Sequence, residues 1–153
     1  SYSDFENPKS KANIKNTIDI LVQNNIIPII NENDTVAADE IQFGDNDKLA
    51  ALTAALLKAD LLIIATNTNG IYTKQSMENG KPATIKEVSG IEGIKKEIGS
   101  SKSTHGTGGM ASKVQAATIA QKAGIETWIV NGLNDNFITD AFSGSTNHTK
   151  IKI

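Results

Sequence analysis

Cysteine and arginine are both absent from this chain of 153 residues. Without cysteine, the chain has neither a disulfide framework nor a thiolate zinc site. Without arginine, all 15 basic residues are lysines, so an anion site must use ammonium groups and backbone N–H groups. The composition therefore excludes the bidentate guanidinium, a common means of recognising carboxylates and phosphates.

Long hydrophobic runs and blocks of one charge are also lacking. The longest apolar stretches, such as LLIIA from Leu61, are far shorter than the roughly 20 residues that span a bilayer. The net charge is −2 and 21% of the residues are charged. We therefore expect a soluble protein whose main partner is neither a nucleic acid nor a membrane. The lack of cysteine permits a reducing, cytoplasmic location.

Helical and strand patterns alternate along the chain. Helices are predicted near residues 8–24, 46–59, 91–99, 110–124 and 135–144, and buried strands at 26–31, 60–66 and 126–132. Asn7 is the expected N-cap of the first helix, and Pro8 its first residue. Residues 71–88 are expected to form a hairpin or a flap. In the helix over 110–124, four residues are expected to face inward: Ala116, Ile119, Ala120 and Ala123.

This alternation predicts an α/β fold, specifically a layered α/β/α sandwich with a mainly parallel sheet covered on both faces. Trp128 lies within an apolar strand and is expected in the core. Ligands in such folds bind beyond the carboxyl ends of the strands. The polar loop after Ile30, the turn after Thr66 and the loop after Val130 all fall on that edge.

The stretch HGTGGMASK, residues 105–113, places three glycines and a lysine where a helix is predicted to begin. Glycines let backbone N–H groups approach an anion, and the positive end of the helix points to the same place. A lysine in that first turn is unfavourable with the helix dipole by up to about 1 kcal/mol. Lys113 becomes favourable there if a phosphate shares the space. A flexible loop with an exposed lysine is the alternative interpretation, since a single glycine motif is weakly specific.

Two further polar motifs flank predicted elements. NEND, residues 31–34, follows the first predicted strand, where Asp34 could receive a ligand amine; turn formation is the simpler role. GDND, residues 44–47, precedes the leucine-rich helix, which Asp45 or Asn46 could cap. Four consecutive capping-type residues exceed what one cap requires. An aspartate here could instead hold lysines or bind Mg²⁺ beside an anion.

Histidine chemistry is not expected. The chain has only two histidines, His105 in the glycine-rich loop and His148 in the tail. Without a supporting pair of ligands or partners, neither a histidine metal centre nor a catalytic triad is predicted, and no metal-ligating residue is assigned.

In this order and separation, INEND, FGDND and HGTGGMASK resemble the glutamate 5-kinases of the amino-acid kinase family. The resemblance covers the chain from its first helix to VNG at 130–132. It implies phosphorylation of the γ-carboxylate of L-glutamate to L-glutamyl 5-phosphate, the first step of proline biosynthesis, with ATP and Mg²⁺. The alternatives are another amino-acid kinase with a different acceptor and a non-catalytic module that senses a nucleotide or an amino acid.

The resemblance also implies roles for individual residues. Asp34 and Asn46 would contact glutamate, and Asp47 would organise the catalytic lysines. Thr66 and Asn67 match a nucleotide-contacting pair, although Asn67 stands where the family usually has aspartate. The other nucleotide-contacting residues form a phosphate loop, in which Lys113 is also catalytic and neutralises charge on the transferring phosphoryl group: Thr107, Gly108, Gly109, Met110, Ala111, Ser112 and Lys113.

The resemblance further implies that part of the family's domain lies outside this sequence. In the family an early strand with a glycine turn supplies another catalytic lysine, and a nearby serine contacts glutamate. We therefore expect residues 1–153 to be the carboxyl-terminal, nucleotide-binding part of a single kinase domain, without a PUA domain and inactive alone. A homo-oligomer and feedback inhibition by proline are further expectations.

Overall fold

The computed structural model describes residues 2–32, 45–98 and 107–153, which form a four-stranded sheet with helices on both faces. The helices are α1 (Tyr2–Glu6), α2 (Pro8–Gln23), α3 (Asp45–Leu57), α4 (Lys74–Glu78), α5 (Ile91–Ile98), α6 (Thr107–Lys122) and α7 (Phe137–Ser143). The strands are β1 (Leu61–Thr66), β2 (Glu87–Ser89), β3 (Glu126–Asn131) and β4 (Thr149–Lys152). Within these residues, no helix has both the length and the apolar character needed to cross a bilayer.

The sheet has the strand order β1-β3-β4-β2 and is mostly parallel. β1 pairs in parallel with β3, so that Leu61 lies opposite Glu126 and Thr66 opposite Asn131. β2 pairs in parallel with β4, and β4 runs antiparallel to β3. The predicted α/β fold with a mainly parallel sheet is therefore confirmed, and the structure adds one antiparallel pair.

The apolar side chains of β1 and β3 divide between the two faces of the sheet. Leu62, Ile64 and Ile129 pack with α3, α5 and α6 in the larger core. Trp128 and Val130 pack with α7 on the opposite face. Because successive residues of a strand point to opposite faces, a strand covered on both faces is apolar throughout. This explains why the two apolar runs predicted these strands correctly.

Helices α3 and α6 pack against each other through small side chains. The buried alanines at this contact are Ala51 and Ala54 of α3 and Ala116, Ala117 and Ala120 of α6. Side chains of this size allow two helix axes to approach closely. The inward-facing prediction was right for Ala116, Ile119 and Ala120 but wrong for Ala123, which is exposed beyond the end of α6 at Lys122.

The first predicted strand is not formed. Residues 26–30 are irregular, and the side chains of Ile27 and Ile29 are 87% and 97% exposed. An apolar run can form a buried strand only where a neighbouring strand accepts its hydrogen bonds, and none of the described strands pairs with this segment. Pro28 also lacks an N–H group for such a ladder.

Substitution of valine for a buried isoleucine and for an exposed one tests this difference in burial. Ile129→Val should lower the free energy of unfolding by about 0.5–1.5 kcal/mol, because Ile129 is fully buried. Ile29→Val should change it by less than about 0.5 kcal/mol, because that side chain is already exposed. Urea denaturation of both variants measures the two changes. Equal losses would show that residues 26–30 are packed in solution.

Strand β4 anchors the segment that follows β1. The buried N–H group of Ile71 donates a hydrogen bond to Thr149 Oγ1 at 2.8 Å. The predicted hairpin is present as an antiparallel bridge between Tyr72 and Thr84, with α4 enclosed between them. β4 was not predicted from the sequence, because its four residues are too few for a clear strand pattern.

The pairing of β4 also changes the surroundings of His148. The sequence placed this residue in a tail, but its side chain is buried. Its ring packs beside Trp128, with 5.1 Å between the ring centroids. His148 is therefore part of the folded domain, in the layer formed by the sheet and α7.

Candidate active site

The chain direction places the first turns of α3 and α6 at the carboxyl edge of the sheet. Residues 58–60 connect α3 to β1, and residues 123–125 connect α6 to β3. The 13-residue α3 and the six-residue β1 are each about 20 Å long, so the helix runs back beside its strand. Since β1 and β3 are parallel, both helices begin near the same edge, where Thr66 and Asn131 lie.

The motifs NEND and GDND meet where α3 begins. Asn46 Nδ2 donates a hydrogen bond to Asn31 Oδ1 at 3.0 Å, across 15 positions of sequence. Both side chains are exposed at this point. Asp34, the other residue expected to contact glutamate, lies outside the described residues. The structure therefore brings together one residue from each motif.

The motifs GDND and HGTGGMASK meet between α3 and α6. Lys113 Nζ lies 3.0 Å from Asp47 Oδ2, and the side chains of Lys113 and Asp47 are 13% and 18% exposed. Ser112 Oγ lies 2.7 Å from the same carboxylate oxygen. Asp47 is the third residue of α3, where the helix dipole stabilises a negative charge. An ammonium, a hydroxyl and a carboxylate thus converge at the start of two helices.

Helix α6 begins earlier than the sequence predicted. It starts at Thr107 instead of Met110, so that Gly108 and Gly109 lie in its first turn and Lys113 in its second. The first four N–H groups of a helix have no intrahelical partner and point beyond its end, where they can bind an anion. At α6 these groups belong to the residues that the sequence assigned to the phosphate loop.

The remaining residues of that predicted loop have different surroundings. Gly109 and Ala111 are exposed, whereas Met110 is partly buried against the main core. For Thr107 the structure describes the backbone but not the side chain, and His105 lies outside the described residues. Met110 therefore contributes to the packing of α6, while its neighbours are open to solvent.

Thr66 and Asn67 lie at the carboxyl end of β1. The carbonyl oxygen of Thr66 accepts a hydrogen bond from the N–H of Gly132, with 2.8 Å between the atoms. Next to them, Asn131 Nδ2 donates to Asn69 Oδ1 at 2.9 Å. Asn69 and Asn131 are polar residues at this edge that were not predicted as site residues from the sequence. Their positions, Asn131 at the end of β3 and Asn69 three residues after β1, were the available signal.

The chain is similar in sequence to a known protein family and to several of its members. The model of the Amino acid kinase family matches residues 1–131. Glutamate 5-kinases from Aliivibrio fischeri and Vibrio vulnificus are 43% and 45% identical to the chain over 149 residues, 97% of its length. The glutamate 5-kinase of Escherichia coli O9:H4 is 44% identical over 143 residues, 93% of the chain. The chain spans 40%, 39% and 39% of the lengths of these three relatives.

A solved structure also shares the fold. UMP kinase from Ureaplasma parvum matches 91% of this chain and 53% of its own, with a TM-score of 0.59 and 13% sequence identity. Identity this low establishes a common fold and nothing about the substrate. The family model, in contrast, matches most of the sequence, including the segments that meet between α3 and α6. The chain belongs to the amino acid kinase family.

Proposed function

We propose that this chain is the carboxyl-terminal, nucleotide-binding part of a glutamate 5-kinase domain. The complete enzyme phosphorylates the γ-carboxylate of L-glutamate with ATP, in the first step of proline biosynthesis. Support comes from the 43–45% identity to glutamate 5-kinases over 97% of the chain. Because that match spans about two fifths of each relative, the proposal concerns a larger protein to which this sequence contributes one part. We extend it to a cytoplasmic homo-oligomer that proline inhibits.

The observation that carries the proposal is the contact of Lys113 with Asp47 at the starts of α6 and α3. Catalysis of phosphoryl transfer is mostly positioning and stabilisation of charge on the transferring group. A lysine side chain is flexible, and a carboxylate 3.0 Å from its ammonium restricts where the charge lies. The first N–H groups of α6, which have no intrahelical partner, add fixed dipoles on the same edge.

The proposed reaction forms a bond between a γ-carboxylate oxygen of glutamate and the γ-phosphorus of ATP. The bond from that phosphorus to the oxygen of ADP breaks, and ADP leaves. Lys113 neutralises negative charge on the transferring group, and Asp47 holds Lys113 in place. Asp34 and Asn46 contact glutamate. The nucleotide is contacted by Thr66, Asn67 and residues 107–113.

The described residues of this site fit a magnesium ion that is bound together with the nucleotide. In the part of the chain that the structure describes, no three acidic or histidine side chains cluster as metal ligands. Asp47 Oδ2 is already contacted by Lys113 and Ser112. Mg²⁺ in kinases is usually held by substrate phosphates together with one or two carboxylates. The phosphates of ATP would therefore supply most of its ligands.

A chimeric enzyme tests the proposal. This chain replaces the 149 matched residues of the Aliivibrio fischeri glutamate 5-kinase, and the natural relative is the positive control. We expect the chimera to form ADP from MgATP only when glutamate is present, and to be inhibited by proline. The readouts are ADP release and γ-glutamyl phosphate trapped as the hydroxamate.

Other outcomes of this assay contradict the proposal. ADP formation with uridylate or carbamate, and none with glutamate, would indicate a kinase with a different acceptor. A folded chimera that binds glutamate or proline by calorimetry without any turnover would indicate a sensing module.

A further inference from the structure

The hydroxyl of Ser112 occupies a position that the proposed roles do not explain. Its Oγ lies 2.7 Å from Asp47 Oδ2 and 2.9 Å from the carbonyl oxygen of Gly109. A serine hydroxyl has one proton and donates to one acceptor at a time. A charged carboxylate accepts a stronger hydrogen bond than a neutral carbonyl does. The proton of Ser112 is therefore directed at Asp47.

Ser112 and Lys113 are neighbours on α6, and both reach the same oxygen atom of Asp47 on α3. With Lys113 alone as a donor, the Asp47 carboxylate could rotate and carry the ammonium with it. A second donor from the rigid helix fixes the carboxylate oxygen, and with it the position of the lysine charge. Small displacements of a charged group in a phosphoryl-transfer site have large effects on rate.

We propose that Ser112 is a positioning residue, whose hydroxyl orients Asp47 and through it Lys113. The inference rests on the proposed kinase function of this site. For the Ser112 hydroxyl it replaces the nucleotide contact that the resemblance and the proposed function assign to residues 107–113. A hydroxyl that donates its proton to Asp47 has none to donate to a phosphate oxygen.

Steady-state kinetics of Ser112 variants in the chimera separate the two roles. Ser112→Ala should lower kcat about tenfold, the loss expected for a hydrogen bond to a charged group, with the KM for ATP within about twofold. Ser112→Thr keeps the hydroxyl and should restore most of kcat. Ser143→Ala on α7 is the matched control, because Ser143 also contacts the carbonyl three residues earlier, and it should leave kcat unchanged. A raised KM for ATP with kcat unchanged would assign Ser112 to the nucleotide and overturn the proposal.

A double substitution tests whether Ser112 affects kcat through Asp47. In an Asp47→Asn background, Ser112→Ala should have little further effect on kcat, because the carboxylate that it orients is already gone. Independent, multiplicative losses in the double variant would show that Ser112 acts elsewhere, which contradicts the proposal.

A measurement on this chain alone needs no turnover. The ¹³C NMR signal of the Asp47 carboxyl carbon should move in Ser112→Ala and stay near its original position in Ser112→Thr. An Asp47 signal unaffected by Ser112→Ala would overturn the proposed contact. If the unsubstituted chimera lacks glutamate-dependent turnover, the proposed function fails, and this signal still decides whether Ser112 holds Asp47.

Discussion

Lys113→Met in the chimera is expected to lower the kcat for glutamate-dependent ADP formation by about 100- to 1,000-fold, the usual loss when one group that stabilises transition-state charge is removed. Methionine preserves much of the apolar stem of the lysine but removes the ammonium 3.0 Å from Asp47. In the proposed mechanism, charge then accumulates on the transferring phosphoryl group without the ammonium assigned to neutralise it. The loss should fall mainly on kcat, because the charge grows as the reaction proceeds.

A second lysine on the same helix provides the control. Lys122 is exposed in the last turn of α6, at the opposite end from the proposed site. Lys122→Met should therefore leave kcat and the KM for ATP unchanged. Thermal melting followed by circular dichroism checks that both variants are folded. A folded Lys113→Met chimera with undiminished kcat would rule out the catalytic role assigned to this lysine.

Gly70→Ala is expected to lower the free energy of unfolding of the chain by about 3–5 kcal/mol, from backbone strain and a lost buried hydrogen bond. Gly70 has φ +89°, a conformation that residues with a Cβ rarely adopt. An added Cβ would lie 2.5 Å from Thr149 Oγ1 and 2.7 Å from the backbone nitrogen of Thr149. Relief of this overlap must separate Gly70 from Thr149, and this breaks the hydrogen bond from Ile71 N–H to Thr149 Oγ1.

A second glycine, Gly80, measures the cost of backbone strain without the steric contact. Gly80 has φ +67°, and an added Cβ there meets no atom within 4 Å. Gly80→Ala should therefore lower the free energy of unfolding by only about 1–2 kcal/mol, the cost of the left-handed conformation. Urea denaturation of the two variants isolates the contribution of the contact with Thr149. Equal losses at both glycines would show that this contact adds nothing to stability.

Elements with a strong local signal were predictable from the sequence. Asn7 was expected to cap α2, and its Oδ1 accepts hydrogen bonds from the N–H groups of Lys9 and Ser10 at 2.9 and 3.1 Å. β1 and β3 followed from apolar runs, because both faces of each strand are covered by helices. In each case a few neighbouring residues contain the physical cause of the structure.

Residues 26–30 show that a local apolar pattern does not by itself determine burial. Their isoleucines indicate a segment suited to burial, but burial needs a neighbouring strand or helix that a local pattern does not identify. In the part of the chain that the structure describes, Ile29 has no such cover. β4 is the opposite case, since its weak local signal is compensated by pairing with β2 and β3.

The candidate site also combines features that the sequence predicted with features that only the structure revealed. The motif HGTGGMASK pointed to Lys113, and the resemblance to the family assigned Asp47 the role of holding it. Their contact depends on the close packing of α3 and α6 through buried alanines. The hydrogen bond of Ser112 to Asp47 joins residues 65 positions apart, which no spacing in the sequence could reveal.

By itself, the sequence determined the amino acid kinase motifs, the apolar strands and the ends of helices such as α2, since each depends on residues close together along the chain. Only the tertiary structure decided which carboxylate oxygen faces Lys113, which isoleucines are exposed and where β4 pairs. These features depend on distances between segments far apart in sequence, and packing of the whole domain sets those distances.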